Sequence, residues 1–272
     1  MASSDVSSQD LLHHDESGVK IKALSSRQRA DDYPYEAPSF GYVIKGDRYY
    51  LLNEDDMPDL SGRVPVLSVG SNRSPQQLLR KFGQDSYLLV TTAILHDCDV
   101  IHSACFSYYG AVPCTAYFSK GTHIPLNAVW LTQEQLQIMH DTEAVGIAYD
   151  FCRWDDEKVV IEQAAQPKAV YGYATRLGYV SDSSGNPYAL SYLPANGRRF
   201  SSLSQLEARA KLRSLLDHDM QAEDEAQFLS QLIKDKGFRL AVNDALAAKA
   251  HPINGGPWTI LPATTDQADH FL

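Results

Sequence analysis

Apolar residues before the loop at 181–198 come mostly in short β-branched runs or in alternation with polar residues, and after it they follow helical spacing. Alternation and short apolar runs bounded by Gly, Pro, Asn or Asp are typical of strands, whereas apolar residues three and four apart are typical of amphipathic helices. The pattern predicts a hairpin over 39–52 and strands over 64–69, 86–105, 111–118, 124–131, 147–154 and 168–179.

Two helices are predicted within this β-rich part. Ser74 can cap the first of them, and Gly83 suits its C-terminal end. Thr132 can cap the second, with Gln135 completing a capping box. We expect the second helix to end before 141–146, an acidic stretch that should leave it as a turn.

Three further helices are predicted in the C-terminal part of the chain. The first follows a capping box at Ser204 and Glu207, and the others are expected over 223–236 and 240–250. Gly237 is expected to end the second of these three helices. The order of elements divides the chain into a flexible tail over residues 1–30, a β-rich body over 31–199, and a helical C-terminal extension over 200–272 that packs on the body.

The composition is that of a soluble globular protein, with 44% hydrophobic and 21% charged residues in a chain of 272. The net charge is −10 and no basic stripe with interleaved aromatic residues occurs, so no nucleic acid is expected as a partner. No apolar run is long enough to span a bilayer, and the first residues lack the features of a signal peptide. We therefore expect a cytoplasmic protein with no membrane partner.

The cysteines and histidines allow two kinds of chemistry. Without a CxxC pair or a secretion signal, reduced thiols are expected. Cys105 or Cys114 could act as a nucleophile beside a histidine, although buried, unreactive cysteine is the commoner case. His96, Cys98 and His102 would share one face of a strand while Cys105 points away, which argues against a zinc site.

The turn Gly70-Ser71-Asn72 lies between the predicted strand 64–69 and the helix that follows it. Gly70 can adopt positive φ without steric cost, and Asn72 tolerates that region better than most residues. Consecutive backbone N–H groups in such a turn can point into one small space and bind a carboxylate or an oxyanion. The simplest alternative is a turn with no other role.

Two motifs far apart in the chain carry a resemblance to a known family. The first is Ser68-Val69-Gly70-Ser71-Asn72, which ends a strand, and the second is Asp141-Thr142-Glu143-Ala144-Val145-Gly146, which follows a short helix. The chain resembles the γ-glutamylcyclotransferase-like family over 64–179. The resemblance rests on these two motifs, on their order and on the strands between them. The resemblance implies an α+β fold with a small mixed β-barrel over 31–199, in which the Gly-Ser-Asn turn and Glu143 face one cavity.

The resemblance also implies a reaction on a small-molecule substrate, a γ-glutamyl amine or a related small amide. In that family the substrate's α-amine attacks its own γ-amide carbonyl and releases an amine and 5-oxoproline. A carboxylate in a partly apolar pocket can take the proton from the attacking amine and return it to the leaving group. The resemblance gives this role to Glu143, and it gives substrate binding to Val69, Gly70, Ser71 and Asn72. It also implies that no metal or organic cofactor is required.

Two positions depart from the family pattern. Val69 stands where the family has Tyr, so a hydroxyl expected near the ligand is absent. Ala144 stands where the family has Gly after the Glu. These differences leave open a second function, a non-catalytic protein that keeps the fold and binds a ligand or partner. An amide hydrolase or acyltransferase of the same fold is a third possibility, and the sequence predicts no oligomeric state.

Overall fold

The computed structural model describes residues 18–53 and 57–262, which form a mixed α+β fold with one large twisted sheet and six helices. The strands are β1 (Val19–Lys20), β2 (Tyr42–Lys45), β3 (Arg48–Leu51), β4 (Val64–Ser68), β5 (Leu88–His102), β6 (Cys114–Leu131), β7 (Tyr149–Trp154), β8 (Val159–Ile161), β9 (Tyr171–Thr175), β10 (Ala189–Leu190), β11 (Ser202–Leu203) and β12 (Trp258–Ile260). The helices are α1 (Ser26–Asp31), α2 (Pro75–Phe82), α3 (Gln133–Glu143), α4 (Gln205–Ser214), α5 (Glu225–Lys234) and α6 (Lys236–Ala247).

The sheet is built around the long antiparallel pair β5 and β6, of 15 and 18 residues. Its strands follow the order β1-β3-β2-β5-β6-β4-β9-β7-β12, while β8 and β10 pair with β5, and β11 pairs with β10. In the described part of the chain, β4 with β9 and β10 with β11 are the parallel pairs. The register between β5 and β6 shifts between His96 and Cys98, where β5 is bulged.

The expected β-barrel is not formed, because the sheet is open. Its path runs from β1 at one edge to β12 at the other, and no pairing within residues 18–53 and 57–262 joins the two edges. Closure would require the outer edge of β7 to pair with a strand from the opposite side of the sheet. That edge is instead occupied by β12, which comes from the C-terminal segment.

The predicted hairpin and strands are confirmed as elements of this sheet, with one difference in how they are divided. The runs 111–118 and 124–131 were predicted as two strands and form the single long strand β6. The short strands β8, β10 and β11 were not predicted, because two or three residues carry too little pattern to identify a strand.

Three predictions about helices and termini need correction. Residues 18–30, predicted as part of a flexible tail, form β1 and most of α1, while residues 1–17 lie outside the described part of the chain. Helix α3 does not end before 141–146 but continues to Glu143. Gly237 does not end a helix: α5 ends at Lys234, and Asp235 caps α6, whose second residue is Gly237.

The sheet carries apolar side chains on both faces. On β4, Val64 and Val66 lie in one buried cluster with Leu78 of α2 and Leu136 of α3, whereas Leu67 lies in another. Successive side chains of a strand point to opposite faces, so α2 and α3 cover the face of Val64 and Val66. The ends of α2 and α3 are thereby brought to the end of β4.

A third apolar cluster joins the helices α4, α5 and α6 to the segment between β5 and β6. Phe106 and Val112 of that segment are buried with Leu212 of α4, Phe228 of α5 and Leu246 of α6. The C-terminal helices therefore pack on the body of the protein. In residues 18–53 and 57–262, no helix combines the length and apolar character needed to cross a membrane.

Candidate functional site

A cavity of about 310 Å³ opens where β4 ends, and residues of both sequence motifs line it. Val69, Gly70, Ser71 and Asn72 line it from the turn after β4, and Glu143 lines it from the end of α3. The other lining residues come mainly from the segment before β2, from α2, from 105–114, from 142–149 and from β9. Among them are Tyr33, Lys81, Cys105, Tyr108, Tyr109, Cys114, Ala148, Tyr149 and Tyr173.

The turn after β4 needs glycine for a reason other than positive φ. Gly70 has φ −124° and ψ −135°, and residues Ser71–Arg73 then form a single 3₁₀ turn before α2. A Cβ atom on Gly70 would lie 2.5 Å from Tyr33 Oη and 3.2 Å from Cys114 Sγ. Close approach of neighbouring side chains therefore excludes a side chain here, and the expectation of positive φ was wrong.

Glu143 and Asn72 are 71 positions apart in the chain and are joined by a hydrogen bond. Asn72 Nδ2 donates to Glu143 Oε1 at 2.9 Å. Lys81 Nζ forms an ion pair with the same oxygen, and the Glu143 side chain is 16% exposed. Ala144, next after Glu143, ends α3 in the left-handed region with φ 50° and ψ 53°. The structure thus brings the turn and the carboxylate into one cavity.

Lys81 is the residue of this site that sequence reasoning missed. Its side chain is only 2% exposed, and its ammonium group also lies 3.5 Å from Met139 Sδ. The available signal was its position in α2: Lys81 comes three residues after the buried Leu78 and four after the buried Gln77. A lysine on the buried face of a helix requires a partner of opposite charge.

Tyrosine hydroxyls line the cavity although Val69 supplies none. The Cys114 N–H group donates to Tyr33 Oη at 3.2 Å. Burial raises the pKa of Tyr33 and of Tyr149 well above the usual value, and it raises the pKa of Tyr109 to about 12. At neutral pH these phenols are protonated, so they can donate hydrogen bonds to a ligand.

The two cysteines considered as nucleophiles both line the cavity, but their surroundings do not activate them. Burial raises the pKa of Cys105 and of Cys114 to about 12, so both are thiols at neutral pH. Cys114 Sγ lies 3.5 Å from the Val69 carbonyl oxygen, to which it can donate. No histidine is among the described residues that line the cavity, so neither cysteine has a histidine base there.

The histidines considered as zinc ligands have other partners. His96 Nδ1 lies 2.7 Å from His123 Nδ1, and His102 Nε2 donates to the Leu203 carbonyl oxygen at 2.9 Å. The expectation that His96, Cys98 and His102 share one face assumed a regular strand, and the bulge after His96 interrupts the alternation of side chains there. Within the described ranges, no three His, Cys, Asp or Glu side chains are arranged to hold a metal ion.

Comparisons with known proteins give little. No family model matches the chain, and no curated protein matches it. A solved structure of the uncharacterized protein loc79017 from Homo sapiens aligns with 72% of this chain and 92% of that chain, with a TM-score of 0.37 and 12% identity. A likeness this weak carries no weight for function.

Proposed function

We propose that this protein is a γ-glutamylcyclotransferase-like enzyme that acts on a γ-glutamyl amine or a related small amide. The observation that supports this most is the hydrogen bond of 2.9 Å between Asn72 of the turn and Glu143 inside a cavity of about 310 Å³. That volume suits a small molecule, since ligand pockets begin at roughly 300 Å³. The proposal requires this cavity at the end of β4 and does not require a closed barrel.

Glu143 is the proposed acid and base. Both of its contacts fall on Oε1, and within the described chain Oε2 accepts no hydrogen bond. Oε2 can therefore take a proton from the substrate's α-ammonium group. The neutral amine nitrogen then bonds to the γ-carbonyl carbon, and the carbonyl becomes an oxyanion. The bonded nitrogen, now positively charged, releases its second proton to solvent, and collapse of the oxyanion breaks the bond to the leaving amine. Glu143 returns the proton to that amine, and 5-oxoproline remains.

The turn and the phenols are proposed to bind the charged parts of the substrate. The N–H groups of Ser71 and Asn72 begin the 3₁₀ turn and donate to no acceptor in the described part of the chain. They are available for the substrate carboxylate or the developing oxyanion. Holding the amine against the carbonyl contributes further, since well-oriented intramolecular reactions gain about 7–11 kcal/mol. The four unpaired cysteines fit the cytoplasmic location that we also propose.

A second candidate function is a binding protein without turnover, and the ion pair of Lys81 with Glu143 favours it. The Glu143 carboxylate already has a charged partner within the protein, Lys81 at its Oε1 atom, so it can serve as a fixed hydrogen-bond acceptor for a ligand. In this alternative the cavity still binds a γ-glutamyl compound or a related ligand. The two candidate functions therefore differ in turnover and agree in binding.

The test is release of 5-oxoproline from a panel of γ-glutamyl amines and γ-glutamyl amino acids. We expect Glu143→Gln to lower kcat/KM by about 10²- to 10⁴-fold, the usual contribution of a general acid–base group. Glu134→Gln changes an acidic residue in the first turn of the same helix and is expected to leave activity unchanged. Full activity in Glu143→Gln would refute the role of this carboxylate.

Other results of the same assay select among the alternatives. Release of glutamate in place of 5-oxoproline indicates an amide hydrolase. A γ-glutamyl compound that raises the melting temperature without being consumed indicates the binding protein, because a ligand bound to the folded state alone stabilises it.

A further inference from the structure

Arg73 follows the Gly70–Asn72 turn directly and is a half-buried cation without a carboxylate partner in the described part of the chain. Its Nε donates to Asn127 Oδ1 at 3.0 Å, and its backbone oxygen accepts from the Tyr42 hydroxyl at 2.6 Å. Its Nη1 is buried and has no hydrogen-bond partner among the described residues. The guanidinium group is therefore fixed in place with part of its hydrogen-bonding capacity unused.

Two fully buried polar side chains next to Arg73 are also incompletely paired. Asn127 is 1% exposed and Ser68 is 3% exposed. In the described structure, Asn127 Nδ2 and Ser68 Oγ form no hydrogen bond. Ser68 of β4 and Asn127 of β6 are directly opposite each other in the sheet, so their side chains share one face. Buried polar groups normally have partners, so a group of three unpaired atoms is unusual.

Two arginines of the described chain, one fully buried and one half-buried, are neutralised by carboxylates. Arg209 is 1% exposed and binds Asp31 and Glu225. Arg198 is 17% exposed and forms a bidentate ion pair with the fully buried Asp99. A buried charge without a partner of opposite charge is costly. Arg73 has no carboxylate partner among the described residues, so an oxyanion from outside the chain would supply the missing negative charge.

We propose that Arg73, Asn127 and Ser68 form a binding site for a small oxyanion, either a carboxylate or a phosphate. The planar guanidinium fork matches the oxygens of such a group, and the amide and hydroxyl groups add neutral donors. Ser68 also lines the cavity, which links this site to the space beside Glu143. The anion is thus either a free ion or the carboxylate of a ligand that occupies the cavity. The inference does not depend on turnover.

The test is calorimetric titration of the full chain with sodium phosphate, sodium acetate and a γ-glutamyl amine, supported by melting temperatures. Arg73→Gln is expected to weaken binding by about tenfold or more, the usual effect of losing a hydrogen bond between charged groups. Arg153→Gln makes the same change of charge at a position whose side chain is 44% exposed on β7, and it is expected to bind as the wild type does. A merely structural Arg73 would change the melting temperature of the free protein without changing the increase caused by anion.

Each outcome decides the matter. Binding of phosphate or acetate that is lost in Arg73→Gln supports a site for a free oxyanion. Binding of the γ-glutamyl amine alone, with the same loss, supports a site for the ligand's carboxylate. No binding of any of the three, or equal binding in the two variants, overturns the proposal. If Arg73→Gln does not fold, Ser68→Ala decides in its place, since it removes one unpaired hydroxyl, and unchanged affinity in that variant overturns the site.

Discussion

The carboxylate of Glu143 receives both of its described contacts from the segment that follows β4. Asn72 donates from the turn, and Lys81 pairs with the same oxygen from α2. A charged partner at a buried position contributes more to orientation than a neutral amide, because its interaction is stronger and less screened. Lys81 is therefore expected to be the main group that holds the Glu143 side chain against the turn.

A double-mutant cycle measures this interaction at the scale of single residues. Lys81→Met, Glu143→Gln and the double variant are expected to give a coupling energy of about 1–3 kcal/mol in the free energy of unfolding, since the charge left behind is poorly hydrated. The Lys158–Asp97 pair is the control, because its side chains are 28% and 29% exposed and its coupling should stay below about 1 kcal/mol. Equal coupling in the two pairs, measured by urea denaturation, would contradict the expectation.

Elements with a strong pattern were predictable, and elements defined by tertiary contacts were not. The capping box of Thr132 and Gln135 located the start of α3, and the β-branched run located β4. Helix α1 has six residues, too few for a periodic pattern, although the capping box of Ser25 and Gln28 was a usable signal. The break between α5 and α6 was misplaced because Asp235, and not Gly237, marks it. Short elements depend on packing more than on their own sequence.

The C-terminal end of α3 supports a prediction at the scale of an element. Ala144 ends the helix at φ 50° and ψ 53°, a conformation that costs a residue other than Gly about 1–2 kcal/mol. Glycine also increases the conformational entropy of the unfolded chain, which offsets part of this gain. The net expectation is that Ala144→Gly stabilises the protein by about 0.5–1 kcal/mol.

The matched control for this change is Ala241→Gly. Ala241 lies in the middle of α6, and its side chain is exposed to solvent. There the same substitution is expected to destabilise the protein by about 1 kcal/mol, because glycine is a poor helix former. The changes in the free energy of unfolding, measured by urea denaturation, should have opposite signs in the two variants if α3 ends in the left-handed conformation. A loss of stability in both variants would count against that conformation.

At the scale of the whole molecule, the cavity depends on contacts that no local pattern specifies. The two motifs that line it were recognised in the sequence, and their common location follows from β4, α2 and α3. Tyr33 reaches the cavity from the segment after α1, and Tyr109 reaches it from the segment between β5 and β6. Those positions depend on how α1 and the C-terminal helices are fixed to the body, which only the folded chain reveals.

Arg209 of α4 makes the connection between these parts. Its guanidinium group is 1% exposed and binds Asp31 of α1 at 2.6 Å and Glu225 of α5 at 2.7 Å. It also donates to the Ala30 carbonyl oxygen at 2.8 Å. Burial raises the pKa of Asp31, but hydrogen bonds and charge from Arg27 and Arg209 outweigh it, so the pKa lies below its usual value. One side chain thus holds the N-terminal segment that leads to Tyr33.

Replacing Arg209 by Met should loosen α1 without disturbing the sheet. The two carboxylates left behind are 31% and 27% exposed and can be hydrated, so the expected loss is about 2 kcal/mol, below the usual cost of breaking a fully buried pair. Because the pKa of Asp31 is lowered in the folded protein, ionised Asp31 stabilises the fold at pH values above its pKa in the unfolded chain. This stabilisation disappears as the pH falls through the pKa of the folded state. The difference in free energy of unfolding between the wild type and Arg209→Met should therefore become smaller in acid.

The local consequence of this replacement can be measured with trypsin, since Arg27 and Arg29 lie on α1. Cleavage at these two residues should be faster in Arg209→Met than in the wild type, because the rate of proteolysis follows the population of molecules in which α1 is detached. Arg213→Met is the control in the same helix, because the described hydrogen bonds of Arg213 go to the carbonyl oxygens of Gln221 and Ala222 and not to α1. Slow cleavage at Arg27 and Arg29 in both variants would mean that α1 is held by its apolar contacts, and the placement of Tyr33 would then be independent of Arg209.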